Sequence, residues 1–281
     1  MFEVRNLTKV FGKRIVLNEL SVTFEPHVYG LLGSNGAGKT TLLRCLTHLY
    51  KEGENAVFID GTSSGDVNDY LDKIGYLPQR FGLYPELSVH AMLELFANLK
   101  GIDKHVARSE IQRVLALVNL IDREKSRVGS LSGGMVRRLG IAQALIGDPP
   151  ILLFDEPTAG LDPEERLRFK NLIADIKGDR IVVISTHIVE DVDATCDRIL
   201  ILHDQQIKAN GTNDDVRQIA KHKVFDVAES ELSNLMGEPY IFKKYARSGQ
   251  VRYRVLSNVP QAISSCEPEI EDGYLCTIKS I

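Results

Sequence analysis

The stretch that most restricts what this chain can fold into is GSNGAGKTT, residues 33–41, set between the apolar run Val28–Leu32 (VYGLL) and a helix-patterned segment, Thr40–Leu49. Gly33 to Thr40 fits the pattern G-x-x-x-x-G-K-[ST]. Its glycines let successive backbone N–H groups curl inward into an anion-binding nest, capped by the positive end of the following helix. The alternative is a glycine-rich turn with an exposed lysine, which requires the whole pattern and its strand-to-helix setting to coincide by accident. The cradle therefore predicts phosphate binding by Gly33, Ser34, Asn35, Gly36, Ala37, Gly38, Lys39, Thr40 and Thr41. Lys39 reaches the terminal phosphates and Thr40 offers its hydroxyl to Mg²⁺.

The setting of the cradle recurs along the chain. Continuous apolar runs at Val28–Leu32, Ile151–Phe154, Ile181–Ile184 and Ile199–Leu202 suit strands buried on both faces of a parallel sheet. Helical patterns lie between them, as in Pro163–Lys177, so the fold class is α/β. Residues 2–24 instead alternate apolar and polar around Gly12-Lys13, the pattern of a half-exposed antiparallel hairpin. From about Tyr84 to Ile146 the pattern is helical without a convincing strand, which predicts an inserted helical subdomain. Beyond about Gln205 a small α+β region follows, with Val251, Tyr253 and Val255 alternating with Arg252 and Arg254. The expected division is 1–215 and 216–281.

Composition narrows the partners. A formal net charge of −4 argues against a protein built to grip nucleic acid. Cys45, Cys196, Cys266 and Cys276 form no C-x-x-C pair, so neither a zinc ribbon nor a disulfide framework is indicated, and a reducing compartment fits. The first residues lack the apolar centre of a signal peptide, and no window holds the roughly 18 apolar residues of a membrane span. The chain is expected in the cytoplasm.

A second acidic site lies where the run ILLF ends in Asp155-Glu156. An aspartate leaving a buried strand there supports Mg²⁺, and an adjacent glutamate can polarise an attacking water. Asp-Glu-Pro opening an ordinary turn is the plainer alternative.

With these residues in place, the sequence resembles the ATP-binding subunit of an ATP-binding-cassette (ABC) transporter over roughly residues 2–215. The stretch LSGGM, Leu131–Met135, resembles the family signature and stands between the cradle and the acidic strand, as the family requires. Its fifth position holds Met135 where the family commonly has glutamine, which removes a peripheral polar contact and leaves that of Ser132, Gly133 and Gly134. The resemblance implies a P-loop NTPase core with an antiparallel β subdomain, an inserted helical subdomain and a small C-terminal α+β appendage. It makes Asp155 a metal-supporting aspartate, Glu156 the catalytic base and Ala159–Asp162 the loop that meets a partner subunit. His187 in STH resembles the switch histidine at the γ-phosphate, Gln79 in YLPQ the loop glutamine that links Mg²⁺ and water to the helical subdomain, and Phe11 in VFG the aromatic under adenine.

The resemblance thus implies an ATPase that uses ATP and Mg²⁺. One cradle and one signature per chain imply two ATP-binding subunits packed head to tail, a homodimer or a pair with a similar subunit, so that Ser132 and Gly134 of one close over the nucleotide of the other. A multi-span membrane permease subunit is the implied further partner, at the cytoplasmic face of the cell membrane. Residues 82–102 are similar to exporter-type ATPase subunits, and Pro268–Leu275 resembles the tail often found on them. The competing class is a soluble cassette ATPase acting on DNA or ribosomes. It lacks support, because no sustained heptads separate Thr40 from Leu131 and there is no second cassette.

Overall fold

The computed structural model describes residues 1–53, 56–65, 67–247 and 249–281. The chain opens with β1 (Phe2–Phe11) and β2 (Arg14–Phe24), an antiparallel pair turned by Gly12 and Lys13. Phe2, Val4 and Leu7 of β1 and Leu20, Val22 and Phe24 of β2 face inward, with the register shifting around Asn6 (φ 50). Next come β3 (Val28–Leu32), α1 (Lys39–Leu46), β4 (Val57–Ile59), β5 (Thr62–Ser63), α2 (Val67–Asp72) and β6 (Ile74–Leu77). Three helices come after them: α3 (Val89–Leu99), α4 (Lys104–Leu117) and α5 (Gly133–Leu145). The chain returns to strand–helix alternation with β7 (Ile151–Asp155), α6 (Pro163–Ile176), β8 (Ile181–Thr186), α7 (Val189–Thr195), β9 (Arg198–His203) and β10 (Gln206–Thr212).

Two sheets carry this part. The first is antiparallel, in the order β2-β1-β4-β5, and the second has the order β10-β9-β3-β8-β7-β6, parallel except for β10. The apolar runs of the central strands divide between two cores. Val28 and Leu32 of β3, Phe154 of β7 and Ile184 of β8 pack with α3 to α7, while Tyr29, Leu31, Leu153 and Val183 pack with α1 and the antiparallel sheet. Continuous rather than alternating hydrophobicity is the consequence of burying both faces. Mixed α/β is thus the observed class.

β6 is not marked by the sequence pattern, being short and carrying a glycine. That glycine has a packing reason: a Cβ on Gly75 would lie 2.0 Å from the carbonyl oxygen of Ala144, so α5 crosses β6 at backbone contact distance. β4 and β5 are shorter still.

The chain ends with α8 (Asn213–Ile219), β11 (Val224–Ala228), β12 (Tyr240–Arg247), β13 (Gln250–Leu256) and α9 (Ile270–Lys279). The strands form an antiparallel sheet in the order β11-β13-β12. The expected boundary between residues 215 and 216 falls inside α8. Ile270 of α9 joins the main core, and Gly273 meets the backbone of Val216 so closely that a Cβ would stand 1.9 Å from its carbonyl oxygen. Arg254, on the polar side of the alternation in β13, is buried: its Nε donates to Asp272 Oδ1 of α9 at 2.9 Å. Among the described residues no helix is long and apolar enough to cross a membrane.

Candidate functional site

β3 is buried along its whole length and delivers the chain to the loop 33–38 at the end of the parallel sheet. Gly36 and Gly38 sit at φ +83 and +110, where a side chain would be strained, so the loop can curl only because glycine occupies both positions. Among the described residues no side chain caps α1, leaving its first N–H groups available to an anion. Lys39 Nζ donates to the carbonyls of Gly33 (2.7 Å) and Ser34 (3.2 Å) and lies 3.4 Å from Glu156 Oε1. Burial pushes the Lys39 ammonium below the ordinary lysine value, an effect opposed by the charge of Glu156.

The acids arrive on β7. Asp155 pairs in register with Ser185 of β8, and its Oδ1 accepts from Ser185 Oγ (2.6 Å) and Thr40 Oγ1 (3.1 Å). Its Oδ2 is fully buried and has no hydrogen-bond partner among the described residues. A buried carboxylate oxygen without a donor calls for a cation, and hard oxygen donors such as Asp155 and Thr40 suit Mg²⁺. Glu156 comes next, in the left-handed region (φ 49), its N–H donating to Ser185 Oγ at 3.0 Å. His187 Nδ1 stands 2.9 Å from Glu156 Oε2 and 3.1 Å from Oε1. The Glu156 carboxylate is therefore held between a lysine and a histidine supplied by two other elements.

A cleft of 460 Å³ opens over this arrangement, lined by Gly36, Lys39, Thr40, Thr41, Gln79 and Glu156 among others. Ser34, Asn35 and Ala37 line an adjoining cavity of 530 Å³. Phe11 does not line the cleft. It lies 42% exposed at the hairpin turn, edge-on to Tyr50 at 5.4 Å, with Lys9 Nζ 4.8 Å from its ring centre. Arg14 and Val16 of β2 line the cleft instead, marked in the sequence by nothing beyond their place after the turn.

Ser132, Gly133 and Gly134 are not among the residues lining the cleft. Ser132 caps α5, its Oγ accepting from Met135 N–H at 3.3 Å, and the helix begins at Gly133. Ser132 and Gly133 are exposed, and Gly134 packs beside Glu165 of α6. The loop Ala159–Asp162 leads into α6, whose N-cap Asp162 accepts from Glu165 N–H at 2.9 Å. Two further contributors escape sequence reasoning altogether: Ser185, a hydroxyl inside a buried strand, and Arg137, one of two adjacent arginines on α5, which donates to the carbonyls of Asp155 and Glu156.

The family model described as "ABC transporter" matches residues 17–159. A Nod factor export ATP-binding protein I of Burkholderia lata is 35% identical over 212 residues, covering 74% of this chain and 70% of that protein. The linearmycin resistance ATP-binding protein LnrL of Bacillus subtilis is 33% identical over 219 residues, covering 77% of this chain and 70% of that protein. Among solved structures, an ATP-binding subunit of an ABC transporter aligns with TM-score 0.69 and 29% identity over 78% of this chain and 92% of its own. An ATP-binding cassette, solved as a dimer in a post-hydrolysis state bound to ADP and Pi, aligns with TM-score 0.67 and 27% identity over 75% of this chain and 98% of its own.

Proposed function

The chain belongs to the ABC transporter family, and on that premise we propose that it is the ATP-hydrolysing subunit of an exporter, working as a dimer beneath a separate multi-span membrane subunit. One observation carries this reading: Lys39, Thr40 and Glu156 line one cleft, with Asp155 bonded to Thr40 and His187 to Glu156, while the exposed Ser132 stands outside it. The chain holds half of a composite site twice over.

In this mechanism the cradle N–H groups and Lys39 bind the β- and γ-phosphates of ATP and oppose the charge that spreads over them as the bond breaks. Glu156 accepts the proton of the attacking water, and His187 keeps its carboxylate oriented. Mg²⁺, which neutralises phosphate charge when bound, would be held by Thr40, Asp155 and Gln79. Ser132 and Gly134 of a second copy close the cleft, bringing the dipole of α5 to the γ-phosphate and excluding water. Gln79 lies just after β6 and ahead of α3 to α5, so closure moves the helical region and whatever it carries. The region up to β10 holds all these groups; the chain from α8 onward forms an appended unit that braces them through α9. Export rather than uptake is supported by the relatives, one concerned with Nod factor export and one with resistance.

The test is Glu156→Gln. ATP turnover is expected to fall by a factor on the order of 10²–10⁴, with an ATP-bound dimer accumulating. Turnover at the wild-type rate would overturn the assignment. Co-purification with a polytopic membrane protein that changes the ATPase rate tests the partnership, and ATP-driven efflux from cells expressing both tests its direction.

A further inference from the structure

Arg137 stands one turn inside α5, and its guanidinium passes behind the carboxylates. Its Nε donates to the carbonyl of Pro157 (2.9 Å) and one Nη to that of Gln79 (3.1 Å); the other Nη donates to the carbonyls of Asp155 (3.1 Å) and Glu156. The ring of Phe81 lies 5.6 Å from the guanidinium carbon. Among the described residues no carboxylate forms a side-chain ion pair with it. Its planar fork is taken up by main-chain oxygens alone, an arrangement that fixes backbone shape rather than neutralising charge.

The shape it fixes is unusual. Glu156 is left-handed at φ 49, a conformation disfavoured for any residue with a Cβ and held only where the surroundings over-determine it. Ser185 restrains the residue from the β8 side by accepting its N–H, and Arg137 restrains it from the α5 side through its own carbonyl and both neighbouring ones. Relaxation of this peptide would swing the carboxylate away from Lys39 and His187, which it meets in this conformation.

We propose that Arg137 is a positioning residue for ATP hydrolysis: it clamps the left-handed backbone of Glu156 so that the carboxylate faces the cleft, and through Gln79 it locks the loop after β6 to the same point. Because Arg137 rides on the helix capped by Ser132, the signature that serves one nucleotide steadies the carboxylate that activates water at the other. The proposal rests on Glu156 being the base.

The experiment compares Arg137→Ala, Arg137→Lys and Glu156→Gln in the full chain, measuring kcat, KM for ATP and melting temperature. Both Arg137 variants are expected to lose about 10²-fold in kcat, the usual consequence of a small misplacement of a reacting group, with KM little changed because the cradle is untouched. Added guanidinium ion should restore part of kcat in Arg137→Ala and none in Arg137→Lys, which a loss of folding alone would not produce. If Glu156→Gln hydrolyses ATP at the wild-type rate, the base assignment fails and the positioning role falls with it. If Glu156→Gln is inactive while a folded Arg137 variant keeps wild-type kcat, the positioning role alone is overturned. Should Arg137→Ala fail to fold, Arg137→Lys decides the matter; if neither folds, Arg137 is a folding determinant and the proposal is overturned.

Discussion

Lys39 shows how one side chain answers to both stability and function. Its ammonium is buried among two carbonyls and a carboxylate, and burial lowers its pKa below the ordinary value of 10.5. A lysine with a depressed pKa binds fewer protons folded than unfolded between its folded pKa and 10.5, so stability rises with pH across that window. The cost of burying the charge is present in full below the folded pKa and is relieved as the pH passes through it. The unfolding free energy of wild type minus that of Lys39→Met, from urea titrations without nucleotide, should therefore grow more positive as the pH approaches 10.5. A flat difference would mean that the ammonium is no harder to hold than in water. Of the residues around Lys39, the cradle and Asp155-Glu156 are legible in the sequence because their geometry depends on neighbours along the chain. Ser185 is not, since its role depends on which strand lies beside β7.

Among the elements, α5 bears the most connections. Its N-terminus presents Ser132, its second turn carries Arg137, and its far end passes over β6 at Gly75. Gly75→Ala would place a methyl group 2.0 Å from a main-chain oxygen that cannot rotate aside. We expect a loss of about 1–3 kcal/mol of unfolding free energy, the range for overpacking in a dense core. Because α5 must then shift, ATPase activity should fall even where the protein stays folded. Chemical denaturation together with turnover at saturating ATP checks both, and a variant matching wild type in each would show that the contact is loose. Helices α3 to α6 are legible from their spacing of apolar residues, and Asp162 ahead of Pro163 marks a helix start. β6 is not legible, because four residues with an interior glycine carry too little pattern to distinguish a buried strand from a loop.

For the whole molecule, the separation of Ser132 from the cleft makes association the decisive step of the proposed function. Ser132→Glu would set a carboxylate where the γ-phosphate of a second copy is to dock, and like charges repel. In the Glu156→Gln background, light scattering with ATP and Mg²⁺ is expected to report dimers, and adding Ser132→Glu should return them to monomers while each monomer still binds ATP. Dimers that persist would place the interface elsewhere. The sequence by itself determined the α/β class, the phosphate cradle, the acidic pair and the signature, because each is written in residues close along the chain whose backbone geometry is nearly independent of the rest. Tertiary structure alone decided that Arg137 grips the backbone of Glu156, that Ser185 donates its hydroxyl to Asp155, and that Arg254 is buried against Asp272. These are hydrogen bonds between groups far apart in sequence, whose donors and acceptors are satisfied only once packing has brought distant segments to within about 3 Å, and local pattern holds no record of that approach.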